Sequence, residues 1–251
     1  NHNTGLDGKW RLYPGIDISY RPTDIVKLFA SWNMAVRMPT FTDLYYSGAN
    51  IEGNSELKPE KTTDYQIGGR YTTRGFIAEV QGFYSHKKNM IDWVTYNDAN
   101  KVSDGIFHSV NFQMDNKGAE INLQMLPRQL WGDNALVRKI GVQYSYIYEE
   151  SDYDVDVIMS KYAMDYLRHK VIVSADSKIW KNLNLSLSWR WQDREGKSNP
   201  AYALLDGRLS WDTAKWSAYI DGSNIFDKKY YDYVSILQPG SWFRFGVRFS
   251  L

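Results

Sequence analysis

The chain has 251 residues, and its 30 basic and 29 acidic side chains give a formal net charge of +1. This balance argues against nucleic-acid binding, which requires a basic surface. The absence of cysteine excludes disulfide cross-links and thiolate metal sites. No run of about 18 apolar residues is present, so the sequence predicts no transmembrane helix.

Segments of alternating apolar and polar residues recur along the whole chain. Successive side chains of a strand point to opposite faces, so each segment predicts a strand with one apolar and one polar face. About eleven such strands are expected, and only residues 39–46 show a weak helical period. In chain order, the clearest segments are IVKLFASWNMA (25–35), DYQIGGRY (64–71), FIAEVQGFY (76–84), GAEINLQML (118–126), KIGVQYSYIY (139–148), NLNLSLSWRWQ (182–192), LLDGRLSW (204–211) and SWFRFGVRFSL (241–251).

The connections between these strands alternate between short and long. Tight turns are expected at RPTD, TTRG, WKN and TAK, whereas residues 38–58, 89–109, 149–161 and 227–240 form long loops. One end with short turns and one with long loops is typical of an outer-membrane β-barrel, and a soluble β-sandwich remains the alternative. An odd strand count and a loop-like start predict that earlier strands of a larger barrel precede this chain.

Four ordered motifs resemble those of TonB-dependent outer-membrane receptors. The first combines Arg37, Pro39, Phe41, Leu44 and Tyr45 with Gly53, Asn54, Leu57, Pro59, Glu60 and Lys61. The second is residues 115–124, the third is residues 222–232 with Asn224 and Phe226, and the last is the terminal strand with Gly246, Phe249 and Leu251. Within this family the arrangement is most similar to the cobalamin and ferric siderophore receptors, and residues 89–98 and 166–176 are similar to segments of the vitamin B12 receptor branch.

The resemblance implies an all-β, antiparallel transmembrane β-barrel of 22 strands in the bacterial outer membrane. Residues 1–251 would be its C-terminal half, with the plug domain and TonB box not present. The implied function is TonB-energised uptake of cobalamin or a ferric siderophore at the extracellular loops. The implied partners are the TonB complex, the barrel-insertion machinery acting on the terminal strand, the lipid bilayer and, as a further option, a surface lipoprotein. A passive porin or an adhesin barrel is the alternative function.

Seven aromatic residues of the expected long loops are candidate ligand contacts, because exposed rings can stack on a planar ligand. Packing among the loops is the alternative interpretation. These residues are Tyr45, Tyr46, Trp93, Tyr96, Tyr153, Tyr231 and Tyr233.

The alternating carboxylates Asp152, Asp154 and Asp156 could hold a hard cation such as Ca²⁺, or form a solvated acidic loop. No other cofactor is expected. Arg37 and Glu60 could contact a ligand, but an ion pair between strand ends is the favoured interpretation. The sequence contains no Gly-x-Ser-x-Gly, His-Glu-x-x-His or P-loop motif and no cysteine nucleophile, so we do not expect an enzyme.

Overall fold

The computed structural model describes residues 12–97, 103, 105–161, 166–195, 200–233 and 236–249. These residues form strands and two five-residue helices, α1 (Phe41–Tyr45) and α2 (Pro127–Trp131). In chain order the strands are β1 (Gly15–Thr23), β2 (Val26–Arg37), β3 (Ser47–Gly48), β4 (Ile51–Glu52), β5 (Glu60–Thr72), β6 (Phe76–Asn97), β7 (Phe107–Met125), β8 (Val137–Asp152), β9 (Asp156–Ser160), β10 (Leu167–Trp180), β11 (Leu183–Arg194), β12 (Tyr202–Asp212), β13 (Trp216–Ser223), β14 (Tyr231–Tyr233), β15 (Ile236–Leu237) and β16 (Trp242–Phe249).

Eleven of these strands lie side by side in one antiparallel sheet, which we call the wall. Its order is β1-β2-β5-β6-β7-β8-β10-β11-β12-β13-β16, so every wall strand pairs with the wall strand that follows it in the chain. The short strands β3, β4, β9, β14 and β15 belong to connections between wall strands. The all-β, antiparallel prediction and the strand count are confirmed, and the wall is part of a barrel.

The strand register keeps apolar residues on one face of the wall. One continuous row crosses nine strands through Tyr20, Leu28, Gly69, Val80, Ile121, Tyr144, Val171, Trp191 and Ala203. Residues on this face remain accessible, with Ile67 68% and Phe245 88% exposed. A soluble sandwich would cover such a face with a second sheet, and none covers it in the described residues. The wall is instead one continuous sheet of eleven strands, so that alternative is wrong for this fold.

The opposite face carries hydrogen-bonded polar side chains. Arg208 donates to both carboxylate oxygens of Asp221, at 2.5 and 2.8 Å, and Arg244 lies 3.6 Å from the same carboxylate. Gln66 donates to Gln81 at 2.6 Å on neighbouring strands. Such side chains suit a surface that faces water.

Connections at one end of the wall are short, and we call this the short-turn end. The β1–β2, β5–β6, β10–β11 and β12–β13 connections have two or three residues each, and β16 also ends here. The β7–β8 connection is longer because it contains α2, where Pro127 occupies the first turn. The sequence indicated a longer turn there but not this helix. Within the described residues, neither helix is long and apolar enough to span a membrane.

The opposite end, the long-loop end, holds the large connections and most of the buried side chains. The buried apolar side chains of the described residues lie there rather than beneath the sheet. They are Leu57, Ile91, Trp93, Val94, Phe112, Met114, Tyr202 and Leu204.

A charge placed on the apolar face tests whether that face contacts lipid. Leu187→Arg should lower the free energy of unfolding by about 2 kcal/mol, because it exposes a guanidinium to hydrocarbon. Ser188→Arg places the same charge on the polar face and should change it by less than roughly 0.5 kcal/mol. Guanidinium-induced unfolding in lipid vesicles measures both, and equal effects would contradict the assignment of the faces.

Candidate functional site

The β6–β7 hairpin extends beyond its neighbours at the long-loop end. Pairing of β5 with β6 ends at Lys61 and Lys88, and pairing of β7 with β8 ends at Gln113 and Asp152. Beyond these points the hairpin has two edges that no wall strand pairs with. Short strands from the neighbouring connections pair with both of them.

Each of those strands crosses the hairpin to reach the more distant edge. β4, from the β2–β5 connection, pairs with β7, and β9, from the β8–β10 connection, pairs with β6. The two connections therefore cover opposite faces of the hairpin. As a result every residue from Ile91 to Thr95 is buried, whichever face its side chain occupies. We call this arrangement the crossed-loop assembly.

The β2–β5 connection is fixed on the first face by the backbone around α1. The Thr40 side chain and Asp43 form a capping box at the start of the helix. The Asp43 carbonyl accepts hydrogen bonds from the Ser109 hydroxyl at 2.8 Å and from the Asn54 amide at 2.9 Å. A side chain at Gly53 would collide with the Asp43 and Leu44 backbone, which accounts for glycine at that position.

Arg37 and Glu60 form an ion pair between strand ends, which the sequence analysis favoured over a contact with a ligand. The guanidinium donates to both carboxylate oxygens, at 2.6 and 2.5 Å. One of these oxygens also accepts the Ile91 amide at 2.9 Å. The Glu60 side chain is only 7% exposed, so this carboxylate joins the ends of β2, β5 and the hairpin.

The β8–β10 connection is fixed on the second face by a buried carboxylate. Asp92 is fully buried and accepts hydrogen bonds from the hydroxyls of Tyr153, at 3.1 Å, and Ser160. The Tyr153 ring stacks on Phe112 with a centroid distance of 4.4 Å. Burial, followed by the charge of Asp92, raises the pKa of Tyr153 above its usual value of 10.0.

A cleft of about 490 Å³ opens beside this assembly. Its lining includes Asn54, Lys58, Asn111, Phe112 and Asp154. Asn111 also connects the adjoining segments, because its amide group bonds to the backbone of Lys58 and to the Asn89 carbonyl. Polar and apolar groups thus both line the cleft, and both crossing connections contribute to its walls.

The structure separates the seven candidate aromatic residues into different environments. Tyr45 and Tyr46, at the end of α1, are 60% and 49% exposed and remain available to a ligand. The prediction that Trp93 and Tyr96 lie in a loop is wrong, because both belong to β6, and Trp93 is only 4% exposed. Residues 91–95 are covered on both faces, so their sequence lacks the alternation that marks the other strands.

The remaining candidates lie in two different connections. Tyr153 is packed on Phe112 rather than free, whereas Tyr231 and Tyr233 form part of β14 in the β13–β16 connection.

Sequence reasoning missed Tyr202, whose hydroxyl lies 2.9 Å from Asp232 and 3.0 Å from Gln192. Its position in a strand with alternating residues gave no sign that it anchors this connection.

The three loop carboxylates are not gathered into a cation site. Asp152 ends β8, Asp156 begins β9, and Asn97 lies 3.5 Å from the Asp156 carboxylate. The described residues contain no group of three or more histidine or carboxylate side chains placed to bind a metal.

The other motif residues of the β2–β5 connection have structural contacts. Pro39 lies between β2 and α1, Leu57 is buried, and the Pro59 carbonyl accepts a hydrogen bond from Asn89. The hydrogen bond at Pro59 joins the connection to β6.

The motif residues near the end of the chain have varied positions. Asn224 takes a left-handed φ of 47° and bonds to Lys228, and Phe226 is exposed. Gly246 lies against the Tyr219 ring, Phe249 ends β16, and Leu251 lies outside the described residues.

Comparisons with known proteins agree with this architecture. A family model described as "TonB dependent receptor-like, beta-barrel" matches residues 1–225. The chain is 25% identical over 235 residues to the vitamin B12 transporter BtuB of Photobacterium profundum, covering 92% of this chain and 36% of that protein. It thus spans about a third of the length of that relative.

Solved structures share the fold at low identity. The FrpB iron transporter from Neisseria meningitidis superimposes with a TM-score of 0.73 at 16% identity, covering 95% of this chain and 38% of the other. The siderophore receptor PirA from Acinetobacter baumannii superimposes with a TM-score of 0.70 at 15% identity, covering 95% of this chain and 41% of the other.

The lipid-compatible wall and the protein-covered loops define part of an outer-membrane β-barrel. The chain belongs to the TonB-dependent receptor-like β-barrel family, whose members are outer-membrane transport receptors and not enzymes.

Removing the charge of Glu60 tests its role in the assembly. Glu60→Gln should destabilise this end by about 1–2 kcal/mol, because a buried charge-assisted contact is lost. The more exposed Arg70–Glu79 pair, at 3.5 Å, supplies the control, and Glu79→Gln should cost under about 0.5 kcal/mol. Hydrogen exchange at the Ile91 amide reports the difference, and matching effects of the two variants would refute this role.

The Tyr153 hydroxyl should stabilise the β8–β10 connection on the second face of the hairpin below pH 10, and this stabilisation should be lost at much higher pH. Its folded-state pKa is raised, so this stabilisation is complete below the unfolded pKa of about 10 and is lost as the pH rises through the folded value. Tyr153→Phe retains the stacked ring and should cost about 1–3 kcal/mol of exchange protection at Val94. Protection factors of wild type should also decline at alkaline pH and approach those of the variant. A constant difference across this range would oppose the assignment.

Proposed function

We propose that this chain forms the wall and outer loops of a receptor for TonB-energised uptake of a scarce, large nutrient. Cobalamin is the first candidate substrate and a ferric siderophore the second. A plug domain that engages the TonB complex would belong to the complete protein. The terminal strand, with Gly246 and Phe249, would be recognised by the barrel-insertion machinery.

The names of similar proteins support this order of substrates. The relative matched over 92% of this chain is a vitamin B12 transporter, whereas the two structural neighbours named above are an iron transporter and a siderophore receptor at 15–16% identity. Sequence similarity therefore favours cobalamin. The low identity to the structural neighbours supports only the shared fold.

The observation that carries the proposal is the fixed position of an exposed aromatic surface. Phe41, Tyr45 and Tyr46 are 78%, 60% and 49% exposed, and the Phe41 and Tyr45 rings lie 5.2 Å apart. Their helix is fixed through Asp43 to Ser109 on the hairpin. Rings held in place by other contacts lose little freedom when they stack on a planar ligand, which favours binding.

Titration of the complete gene product with cyanocobalamin and a panel of ferric chelates tests the proposal. We expect saturable cobalamin binding that weakens roughly tenfold in Tyr45→Ala or Tyr46→Ala, because a stacking contact is lost. Tyr20→Ala removes an exposed ring from the apolar face of the wall and should leave the affinity unchanged.

The other outcomes distinguish the alternatives. Saturable binding of one ferric chelate, without cobalamin binding, would support the second substrate. Binding of neither ligand, with free passage of small sugars in liposome swelling, would support a passive porin and refute the receptor proposal.

A further inference from the structure

A recess of about 250 Å³ lies on the polar face of the wall, across β7, β8 and β10. Ser145 lies in its middle, because it pairs with Glu120 on one side and with Lys170 on the other. Each of these residues is adjacent in the chain to a member of the apolar row, so all three lie on the opposite face, which lines the interior of a complete barrel. The small serine leaves a gap between a carboxylate and an ammonium group.

A chain of hydrogen bonds holds the carboxylate at one side of the recess. Gln66 donates to Gln81 at 2.6 Å, and Gln81 donates in turn to one oxygen of Glu120. Within the described residues, the other oxygen of Glu120 accepts no hydrogen bond. The carboxylate is therefore fixed in position and has an oxygen available for another donor.

The ammonium group at the other side is not neutralised by the protein. Lys170 forms no ion pair within the part of the chain that the structure describes. Two strand spacings of about 4.8 Å separate its backbone from that of Glu120, with Ser145 between them. The recess thus has an acceptor at one side and a donor at the other, without a direct contact between them.

The neighbouring rows of the polar face preserve this order of charge. On the side of the long-loop end, β7 and β8 carry the uncharged residues Gly118 and Ile147. The row on the other side has Glu79 on β6 and Arg190 on β11, with uncharged residues between them. Negative charge thus lies towards β6 and β7 in both rows, and positive charge towards β10 and β11.

This arrangement matches a neutral carboxamide better than an ion. The N–H of a carboxamide can donate to Glu120 while its carbonyl oxygen accepts from Lys170, and the two hydrogen bonds with the amide between them span roughly 8 Å. An anion would be repelled by the carboxylate, and a cation by the ammonium group. The amide side chains of Asn122 and Gln143 line the same recess and supply further donors and acceptors.

Large and small side chains occupy different sectors of the polar face. On β2 to β7 the Phe29 ring lies against Gly68, and the Phe83 ring lies against Gly118. A second recess, of about 320 Å³, lies closer to the short-turn end on β10, β11 and β12. Its lining includes three small hydroxyl side chains, Ser174, Ser186 and Ser188. The sector from β8 to β12 therefore offers a more open surface to a molecule that moves along the interior.

We propose that the recess between Glu120 and Lys170 binds a carboxamide group of the substrate during its passage through the barrel. This inference rests on the proposed function, and it narrows the substrate class to neutral molecules that carry several primary amides, as the corrin ring of cobalamin does. Initial binding occurs at the aromatic surface on α1. Glu120 and Lys170 then act as positioning residues for transport.

Uptake and surface binding of radiolabelled cyanocobalamin, measured on cells in which the complete gene product is the sole receptor, test the proposal. Lys170→Met and Glu120→Leu should each slow uptake about tenfold, because one hydrogen bond of the transit site is lost. The affinity of surface binding should remain that of wild type. Lys139→Met removes a charge on the same face, opposite Asp176 and closer to the short-turn end, and should leave uptake unchanged.

Reversing the charges distinguishes a carboxamide from an ion. Glu120→Lys alone places two cations across the recess, Lys170→Glu alone places two anions there, and each should slow uptake. The double variant should regain most of the wild-type rate, since a carboxamide can bind in the opposite orientation. Faster uptake by Glu120→Lys would show that the recess takes an anion and would overturn the assignment.

Filling the recess supplies an independent variant. Ser145→Trp should block uptake without changing surface binding, whereas Ser31→Trp adds the same ring to the polar face of β2 and should transport normally. Heat-modifiable electrophoretic migration verifies that each variant is folded. Entry of vancomycin into cells carrying Lys170→Met or Glu120→Leu would show that the recess holds the plug instead, and this result would also overturn the proposal.

Failure of this inference can be separated from failure of the proposed function. Wild-type cells that bind no cyanocobalamin would refute both the cobalamin assignment and the transit site. Normal surface binding together with wild-type uptake by Lys170→Met and Glu120→Leu would refute the transit site alone.

Discussion

A strand that contacts lipid must have its backbone N–H and C=O groups paired within the protein, because hydrocarbon supplies no hydrogen-bond partners. The wall meets this requirement through antiparallel pairing of each strand with its neighbours in sequence. Register then decides which side chains meet which solvent, since a shift by one residue would move every apolar group to the polar face. The row from Tyr20 to Ala203 shows that the register is maintained across nine strands.

Backbone groups are also paired at the long-loop end, where the strands leave the bilayer, but their partners there are different. The β6–β7 hairpin there has no neighbouring wall strands, and two crossing connections supply both its edge partners and its covering faces. The buried groups Glu60 and Asp92 fix these connections with charge-assisted hydrogen bonds. These contacts also fix the exposed Tyr45, at the end of α1, and the adjacent Tyr46 outside the wall, which is the position that the proposed ligand contact requires.

The wall could be predicted from sequence because a half-exposed strand imprints a period of two on its residues. That signal fails where both faces are covered, and residues 91–95 were therefore assigned to a loop. The weak helical period at residues 39–46 located α1, which spans Phe41–Tyr45. The pairing of Arg37 with Glu60 was predicted from their positions at strand ends. The crossing of β4 and β9 could not be predicted, because it depends on contacts between segments distant in sequence. The anchoring role of Tyr202 was missed for the same reason.

Lipid contact with the residues of one parity in each wall strand can be measured directly. The chain has no cysteine, so single cysteines introduced at positions 183–192 can each carry a nitroxide label without background. In lipid vesicles, collision with oxygen should be high at odd positions such as Leu187, and collision with a water-soluble nickel chelate should be high at even positions such as Ser188. Uniformly low oxygen accessibility at the odd positions would place these side chains in a protein interior and rule out a lipid-facing wall.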